Sequence, residues 1–163
     1  RMQRKMDKIV ATIWRNNNNL IKSQEDLINL ASLIEAEAMD NYEKYIISSV
    51  FYNRIKKGMK LQSDPTILYY KNLKSKIKTR KIFKKDLLSD HPWNTYTRKG
   101  LPLTAICSPG WQALEAAMNP KETNFLYFVA DGSGGHRFSD NYEEHLENIK
   151  LWKDKLRESN EIK

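Results

Sequence analysis

The sequence of 163 residues has little of what marks several common protein classes. It contains a single cysteine, Cys107, so no disulfide can form within the chain. Its three histidines, His91, His136 and His145, do not have zinc-motif spacing. No serine nucleophile elbow, no nucleotide-binding glycine fingerprint and no apolar run long enough to cross a bilayer occurs. These absences argue against zinc, serine-hydrolase and nucleotide-dependent chemistry, and we expect neither a metal nor a cofactor.

Negative charge is also scarce. The net charge is +8 and the isoelectric point is about 9.5, which favours an anionic partner. Residues 71–85 contain many Lys and Arg side chains and no acidic one. Nucleic-acid patches usually interleave aromatics with such charges, and Phe83 is the one aromatic here. We therefore interpret residues 71–90 as a solvated, variable basic loop and expect no nucleic-acid partner.

The length suits one domain with its own core, and we interpret residues 1–163 as a single domain. An amphipathic pattern over residues 1–20 predicts an N-terminal helix. The chain opens on Arg1 rather than Met and has no signal peptide, so we expect a fragment of a longer protein.

The most informative stretch is a predicted helix that carries two glutamates, Glu35 and Glu37. Ser23 starts it as a cap, and Asp40-Asn41 is expected to stop it. Its apolar side chains form one stripe at helical spacing: Leu27, Leu30, Ala31, Ile34 and Ala38. Glu35 lies at the margin of this stripe, where partial desolvation favours the protonated form that a general acid needs. The alternative is a structural glutamate that reaches past its stem to water.

A second strong helix is predicted over residues 42–57, with Gly58 as its stop. Asn53 occupies an apolar register of this helix, so it should either have a buried hydrogen-bond partner or line a cleft. The best strand is the aromatic run at 125–130, which a glycine-rich turn joins to a returning strand at 136–139. The predicted fold is therefore α+β, with helices packed on a small antiparallel sheet that includes this hairpin.

Carboxylates and a loop rich in polar and aromatic residues, His91 to Gly110, remain as candidate chemistry. This is the usual composition of a carbohydrate cleft. Several segments, in order, make the sequence resemble the MltG/YceG family of endolytic lytic transglycosylases, which cut peptidoglycan glycan strands. The matching segments are Ala31–Glu37, Val50–Ile55, Gly58–Thr66, Asn94–Thr97, Gly100–Pro102, Ser108–Gly110 and Leu126–Phe138.

The resemblance implies that Glu35 is the catalytic acid and that no cofactor is used. Glu37 is expected to orient or tune Glu35, and further polar side chains are expected to line the substrate cleft: Asn53, Gln62, Asp64, Asn94, Tyr96 and His136. It also implies a domain on the outer side of the bacterial cytoplasmic membrane, with peptidoglycan as its partner and cell-wall synthases as further candidates. The family's membrane helix and LysM-like module lie outside this chain.

The expected reaction needs one carboxylate, because the 6-hydroxyl of the same N-acetylmuramic acid ring is the nucleophile. The product is a 1,6-anhydro sugar end. Two alternatives stay open at this point. A non-catalytic basic module that binds glycan or nucleic acid would cleave nothing, and a hydrolytic muramidase would leave reducing ends.

The basic segment generates a first prediction. Replacing Lys74, Lys76 and Lys78 together with Gln should leave the melting temperature nearly unchanged, because solvated charges add little stability. Glycan cleavage should persist, with weaker attraction to anionic wall material. A folded triple variant without cleavage would contradict the assignment of this segment as a solvated loop.

Overall fold

The computed structural model describes residues 2–14, 20–75 and 78–161. Within these ranges the chain forms seven helices and one two-stranded antiparallel sheet. The elements are α1 Met2–Ile13, α2 Gln24–Glu37, α3 Asn41–Lys56, α4 Asp64–Lys74, α5 Lys84–Leu88, α6 Trp111–Met118, β1 Tyr127–Ala130, β2 His136–Ser139 and α7 Tyr142–Glu161. The predicted α+β class is thus confirmed. No helix in these ranges is both long enough and apolar enough to cross a membrane.

Helix α2 forms the centre of the core, as its apolar stripe predicts. The Ser23 hydroxyl caps the helix by accepting a hydrogen bond from the Asp26 N–H at 3.0 Å. Leu27, Leu30 and Ile34 are fully buried, and α2 packs against α3 and α6. Asp40, expected to stop α2, instead caps α3 by accepting a hydrogen bond from the Glu43 N–H at 2.8 Å.

The hairpin has the predicted position and pairs Phe128 with Phe138 and Ala130 with His136. Phe128 and Phe138 pack against the main core, and α7 packs against both strands. The hairpin therefore joins the last helix to the helical core and brings His136, at the start of β2, towards α3.

The segment predicted as a loop over residues 71–90 contains regular structure at both ends, namely the last turn of α4 and the short α5. The Lys71 ammonium lies 2.6 Å from the Asp86 carboxylate and joins the two helices. Lys78 and Arg80 lie in residues 78–83, a stretch between the two helices that has no regular structure. Residues 15–19, where the N-terminal helix was expected to end, lie outside the described ranges.

Asn94 organises the loop between α5 and α6. Its amide donates hydrogen bonds to the carbonyls of Leu87 at 3.1 Å and Ser89 at 2.6 Å. Its side-chain oxygen accepts the Tyr96 N–H at 2.8 Å. The side chain of Asn94 is 1% exposed and is engaged by its own loop. Its observed role is therefore to satisfy backbone groups of a turn-rich segment, and its assignment to substrate binding stays a prediction.

Asn94→Ala should lower the free energy of unfolding by about 1–3 kcal/mol, because it removes several hydrogen bonds that a buried side chain makes to the backbone of its loop. Denaturant titration measures this loss. Asn119→Ala is the matched control, since Asn119 is exposed and its amide bonds only its own helix end. If Asn94→Ala is as stable as the control and loses only glycan affinity, Asn94 contacts substrate after all.

Candidate active site

A cleft of about 480 Å³ lies where the end of α2 meets the turn before α4, the hairpin and α7. Its volume falls within the range of small-molecule sites. Five of the side chains that the sequence analysis selected line it: Glu37, Gln62, Asp64, Tyr96 and His136. Glu35, Asn53 and Asn94 do not line this cleft.

Glu37 is the last residue of α2, and its half-buried side chain lines this cleft. The Ser63 hydroxyl donates a hydrogen bond of 2.6 Å to its Oε1. The pKa of Glu37 is raised from 4.5 to about 7, chiefly because desolvation disfavours the charged form; the Ser63 hydrogen bond opposes this rise, and the negative charge of Asp64 adds to it. Desolvation is the largest cause because a buried carboxylate loses its hydration. Glu37 is therefore poised to hold a proton near neutral pH.

Ser63 occupies the cap position of α4, yet its hydroxyl makes no capping bond to that helix because it is engaged by Glu37. The serine itself is held from behind, since its N–H donates to the Thr95 hydroxyl at 2.9 Å. The Gln62 N–H donates to the Thr95 carbonyl at 3.1 Å. Two segments about thirty residues apart are thus locked together, and the Ser63 donor has a fixed position.

Asp64 and Tyr96 form a second polar pair on the cleft wall. The Tyr96 hydroxyl donates a hydrogen bond to Asp64 Oδ1. Burial raises the pKa of Tyr96 above its usual range, and the hydrogen bond and charge of Asp64 add to the rise. Tyr96 is therefore a neutral donor at physiological pH, and Asp64 places a negative charge beside Glu37.

Arg54 is one of the cleft residues that the sequence analysis did not select. Its guanidinium donates to the carbonyls of Leu126 at 2.6 Å and Leu61 at 3.0 Å, and to the Gln62 side chain at 3.3 Å. Gln62 has φ +52°, a left-handed conformation that is unusual for a residue with a side chain. Arg54 therefore supports the strained turn that carries Gln62 into the cleft. The sequence signal that could have identified Arg54 is a charged residue within the apolar part of the predicted second helix.

Glu35 has a different environment. Its two carboxylate oxygens lie 3.1 and 3.2 Å from the Lys44 ammonium, and Oε2 also accepts the Gly110 N–H at 3.1 Å. Lys44 is buried, so this ion pair neutralises a charge that would otherwise be isolated. Glu35 thus joins α2 to α3 and to the start of α6. Two residues apart on a helix, Glu35 and Glu37 point in different directions.

Asn53 does not line the cleft that contains Glu37, and its assignment to substrate binding stays a prediction. Its amide donates to the carbonyls of Thr123 at 2.8 Å and Phe125 at 3.0 Å, so it holds the segment that enters the hairpin. These partners are half-buried, and Asn53 also lines two smaller surface pockets away from Glu37. His136 does reach the cleft, although it shares it with Glu37 instead of Glu35.

Helix α7 supplies two further cleft residues that sequence reasoning missed, His145 and Trp152. They are seven positions apart and therefore lie on the same face, two turns from each other. His145 stacks on Tyr127 with ring centroids 4.9 Å apart, and burial lowers the pKa of His145. The indole of Trp152 and the stacked rings of His145 and Tyr127 give this wall the apolar surface on which a sugar ring can pack.

The cleft thus combines a protonated carboxyl group, a neutral phenol, an anionic carboxylate and aromatic surface. Such a set can deliver and recover a proton at an ether oxygen of a polar, ring-shaped ligand. In the described ranges, no three His, Cys, Asp or Glu side chains come together as they would at a metal site.

Comparisons with known proteins agree with one another. The profile of the YceG-like family matches residues 1–151. An endolytic murein transglycosylase of Bacillus subtilis is 44% identical over 123 residues, which are 76% of this chain and 33% of that relative. An endolytic murein transglycosylase of Streptococcus pneumoniae is 32% identical over 146 residues, 88% of this chain and 26% of that relative. This chain therefore spans about a quarter to a third of the length of these relatives.

A solved structure gives the same relationship. The crystal structure of a YceG-like protein from Listeria monocytogenes matches with a TM-score of 0.72 and 36% sequence identity, over 88% of this chain and 44% of that one. Both the sequence profile and the three-dimensional match extend over most of the chain, and the profile includes the α2 glutamates, the turn before α4 and the hairpin. The chain belongs to the YceG-like family.

Proposed function

We propose that this domain is an endolytic peptidoglycan lytic transglycosylase, which cleaves the bond between N-acetylmuramic acid and N-acetylglucosamine and leaves 1,6-anhydro ends. The curated relatives that share this region are named endolytic murein transglycosylases. The observation that carries the proposal is the half-buried carboxyl group of Glu37, whose pKa is raised to about 7, in a cleft lined by polar and aromatic side chains.

In this proposal Glu37, rather than the Glu35 that the resemblance first suggested, is the catalytic acid. Glu35 is occupied by Lys44 and Gly110, which is the environment of a structural anion. Glu37 accepts one hydrogen bond at Oε1 from Ser63, which leaves Oε2 to carry the proton towards the cleft. A general acid is most effective when its pKa is close to the working pH, and Glu37 meets this condition.

The reaction uses Glu37 twice. Its proton first passes to the glycosidic oxygen as the bond from that oxygen to the anomeric carbon breaks. The 6-hydroxyl oxygen of the same muramic acid ring then bonds to the anomeric carbon, and its proton passes to the Glu37 carboxylate. Glu37 is thereby restored and no water is consumed. The negative charge of Asp64 favours the positive charge that develops on the sugar ring between these steps.

The surroundings of the reaction stay predictions. Nascent glycan strands on the outer side of the cytoplasmic membrane are the expected substrate, and their length is what such cleavage would limit. Attachment to the membrane and contact with cell-wall synthases are further expectations for the whole protein.

Glu37→Gln should lower the rate of glycan cleavage by about a hundredfold to ten-thousandfold, because Gln cannot transfer a proton. Its amide keeps the size of the side chain and can still accept the Ser63 hydrogen bond. Cleavage is followed by mass spectrometry of purified glycan strands, with the count of anhydromuramic ends as the readout.

Glu35→Gln is the matched control. It should lower the melting temperature, because Lys44 loses its buried counter-charge, while cleavage continues well below that temperature. Loss of cleavage in a folded Glu35→Gln protein, together with an active Glu37→Gln protein, would return the catalytic role to Glu35. Reducing muramic ends from the unaltered protein would make it a hydrolase.

The raised pKa of Glu37 also affects stability. The folded state holds this proton up to about pH 7, whereas the unfolded chain releases it near 4.5. Between these values the folded state binds more protons, so the contribution of Glu37 to the free energy of unfolding falls as pH rises. The loss amounts to about 1.4 kcal/mol for each unit of pKa difference.

Denaturant titrations of the unaltered protein and Glu37→Gln at a series of pH values between 4.5 and 7 measure this effect. The stability of the unaltered protein relative to the variant should decline steadily across the series. Parallel curves would mean that Glu37 has an ordinary pKa in the folded protein.

A further inference from the structure

Glu43 and His136 form a buried polar pair at the edge of the cleft. Glu43 Oε2 lies 2.8 Å from His136 Nδ1, and Glu43 Oε1 accepts the main-chain N–H of His136 at 2.7 Å. Both side chains are about nine-tenths buried. The two residues lie 93 positions apart in the sequence, and the carboxylate of Glu43 binds both the main chain and the ring of His136.

The adjacent glycine permits this approach. A Cβ atom at Gly135 would lie 3.1 Å from Glu43 Oε1 and 3.3 Å from the Asp131 carboxylate. These distances are tighter than ordinary contacts, so a side chain at position 135 would push Glu43 away. The His136 ring is also fixed from one side by Phe128, whose ring meets it edge-on at 5.3 Å between centroids. The imidazole therefore has a single, defined orientation.

The carboxylate also sets the tautomer. Glu43 as a carboxylate can only accept hydrogen bonds, so the proton of a neutral His136 lies on Nδ1. Nε2 is then an acceptor, and no hydrogen bond from the described protein atoms engages it. Because His136 lines the cleft that contains Glu37, an acceptor in a fixed position is offered to whatever binds there.

We propose that this dyad recognises the 2-acetamido group of the sugar bound beside Glu37, with His136 Nε2 accepting the acetamido N–H. The inference rests on the proposed function for its substrate class. The acetamide is the amide N–H donor on the pyranose ring itself, whereas the hydroxyl groups both donate and accept and would be satisfied by Tyr96, Asp64 or water as well. His136 thus acts as a specificity-determining residue, and Glu43 as its positioning residue.

Binding measured without turnover separates this proposal from the cleavage reaction. The ligands are a synthetic tetrasaccharide of alternating N-acetylglucosamine and N-acetylmuramic acid and an analogue with acetate esters in place of the acetamides. The ester keeps the carbonyl and removes the N–H. In the Glu37→Gln background, the acetamide ligand should bind roughly tenfold more tightly than the ester, as one hydrogen bond to an otherwise unpaired acceptor allows.

His136→Phe in that background should bring this ratio close to one. His136→Gln should restore part of it, because the amide oxygen of Gln can reach the place of Nε2. His145→Phe, which removes an imidazole of α7 from the same cleft, should keep the ratio even if both affinities change. Melting curves confirm that each variant is folded before binding is compared.

Glu43→Gln gives an independent readout. The amide group of Gln can donate to Nδ1, which moves the ring proton to Nε2 and turns the acceptor into a donor. Long-range ¹H–¹⁵N correlation spectra report the tautomer of His136 directly. They should show the proton on Nδ1 in the unaltered protein and on Nε2 in this variant, together with loss of preference for the acetamide.

An unchanged ratio in folded His136→Phe, or a His136 proton on Nε2 in the unaltered protein, overturns the proposal and leaves the cleavage reaction standing. The opposite outcome is also informative. If the ratio of acetamide to ester affinity depends on His136 but the unaltered protein yields no anhydro ends, the dyad is supported and the proposed function is overturned.

Discussion

The hydrogen bond between Ser63 and the half-buried carboxyl group of Glu37 is the interaction on which the candidate site depends. It forms only when the end of α2 meets the turn before α4. Hydrogen bonds with Thr95 and Arg54 fix the position of that turn. The carboxyl group is withdrawn from water by the same contacts that orient it. Burial raises its pKa, and a fixed donor defines which of its oxygens faces the cleft. The same contacts thus set both the position and the pKa of the Glu37 carboxyl group.

Buried charges on α3 extend the same principle. Three charged side chains of this helix each bind a distant segment: Lys44 holds Glu35 of α2, Glu43 holds His136 of β2, and Arg54 holds the carbonyls of the turns at 60–61 and at 126. An unpaired buried charge is costly, so each pair strongly favours a single arrangement of its two segments. The helix thereby aligns the walls of the cleft. The apolar contacts of α2 and α6 stabilise the domain without specifying this alignment.

Periodicity was sufficient to predict the main helices, the hairpin and the fold class, because apolar spacing and caps are local properties of the chain. It could not decide between Glu35 and Glu37. On an isolated helix Glu35 lies nearer the apolar stripe, and the deciding contacts, Lys44 for one and Ser63 for the other, come from other segments. Asn53 and Asn94 show the same limit. Each was assigned to the cleft as a polar residue in an apolar register or an ordered loop, and in the structure the amide of each donates to backbone carbonyls of its own chain.

The central claim is that Glu37 holds a proton near neutral pH and is the acid of the cleft. A titration of the side-chain carboxyl carbons by ¹³C NMR tests it most directly, with the Glu37 resonance identified by its loss in Glu37→Gln. The account predicts a midpoint near pH 7 for this resonance. A midpoint near 4.5, the ordinary value for glutamate, would contradict it.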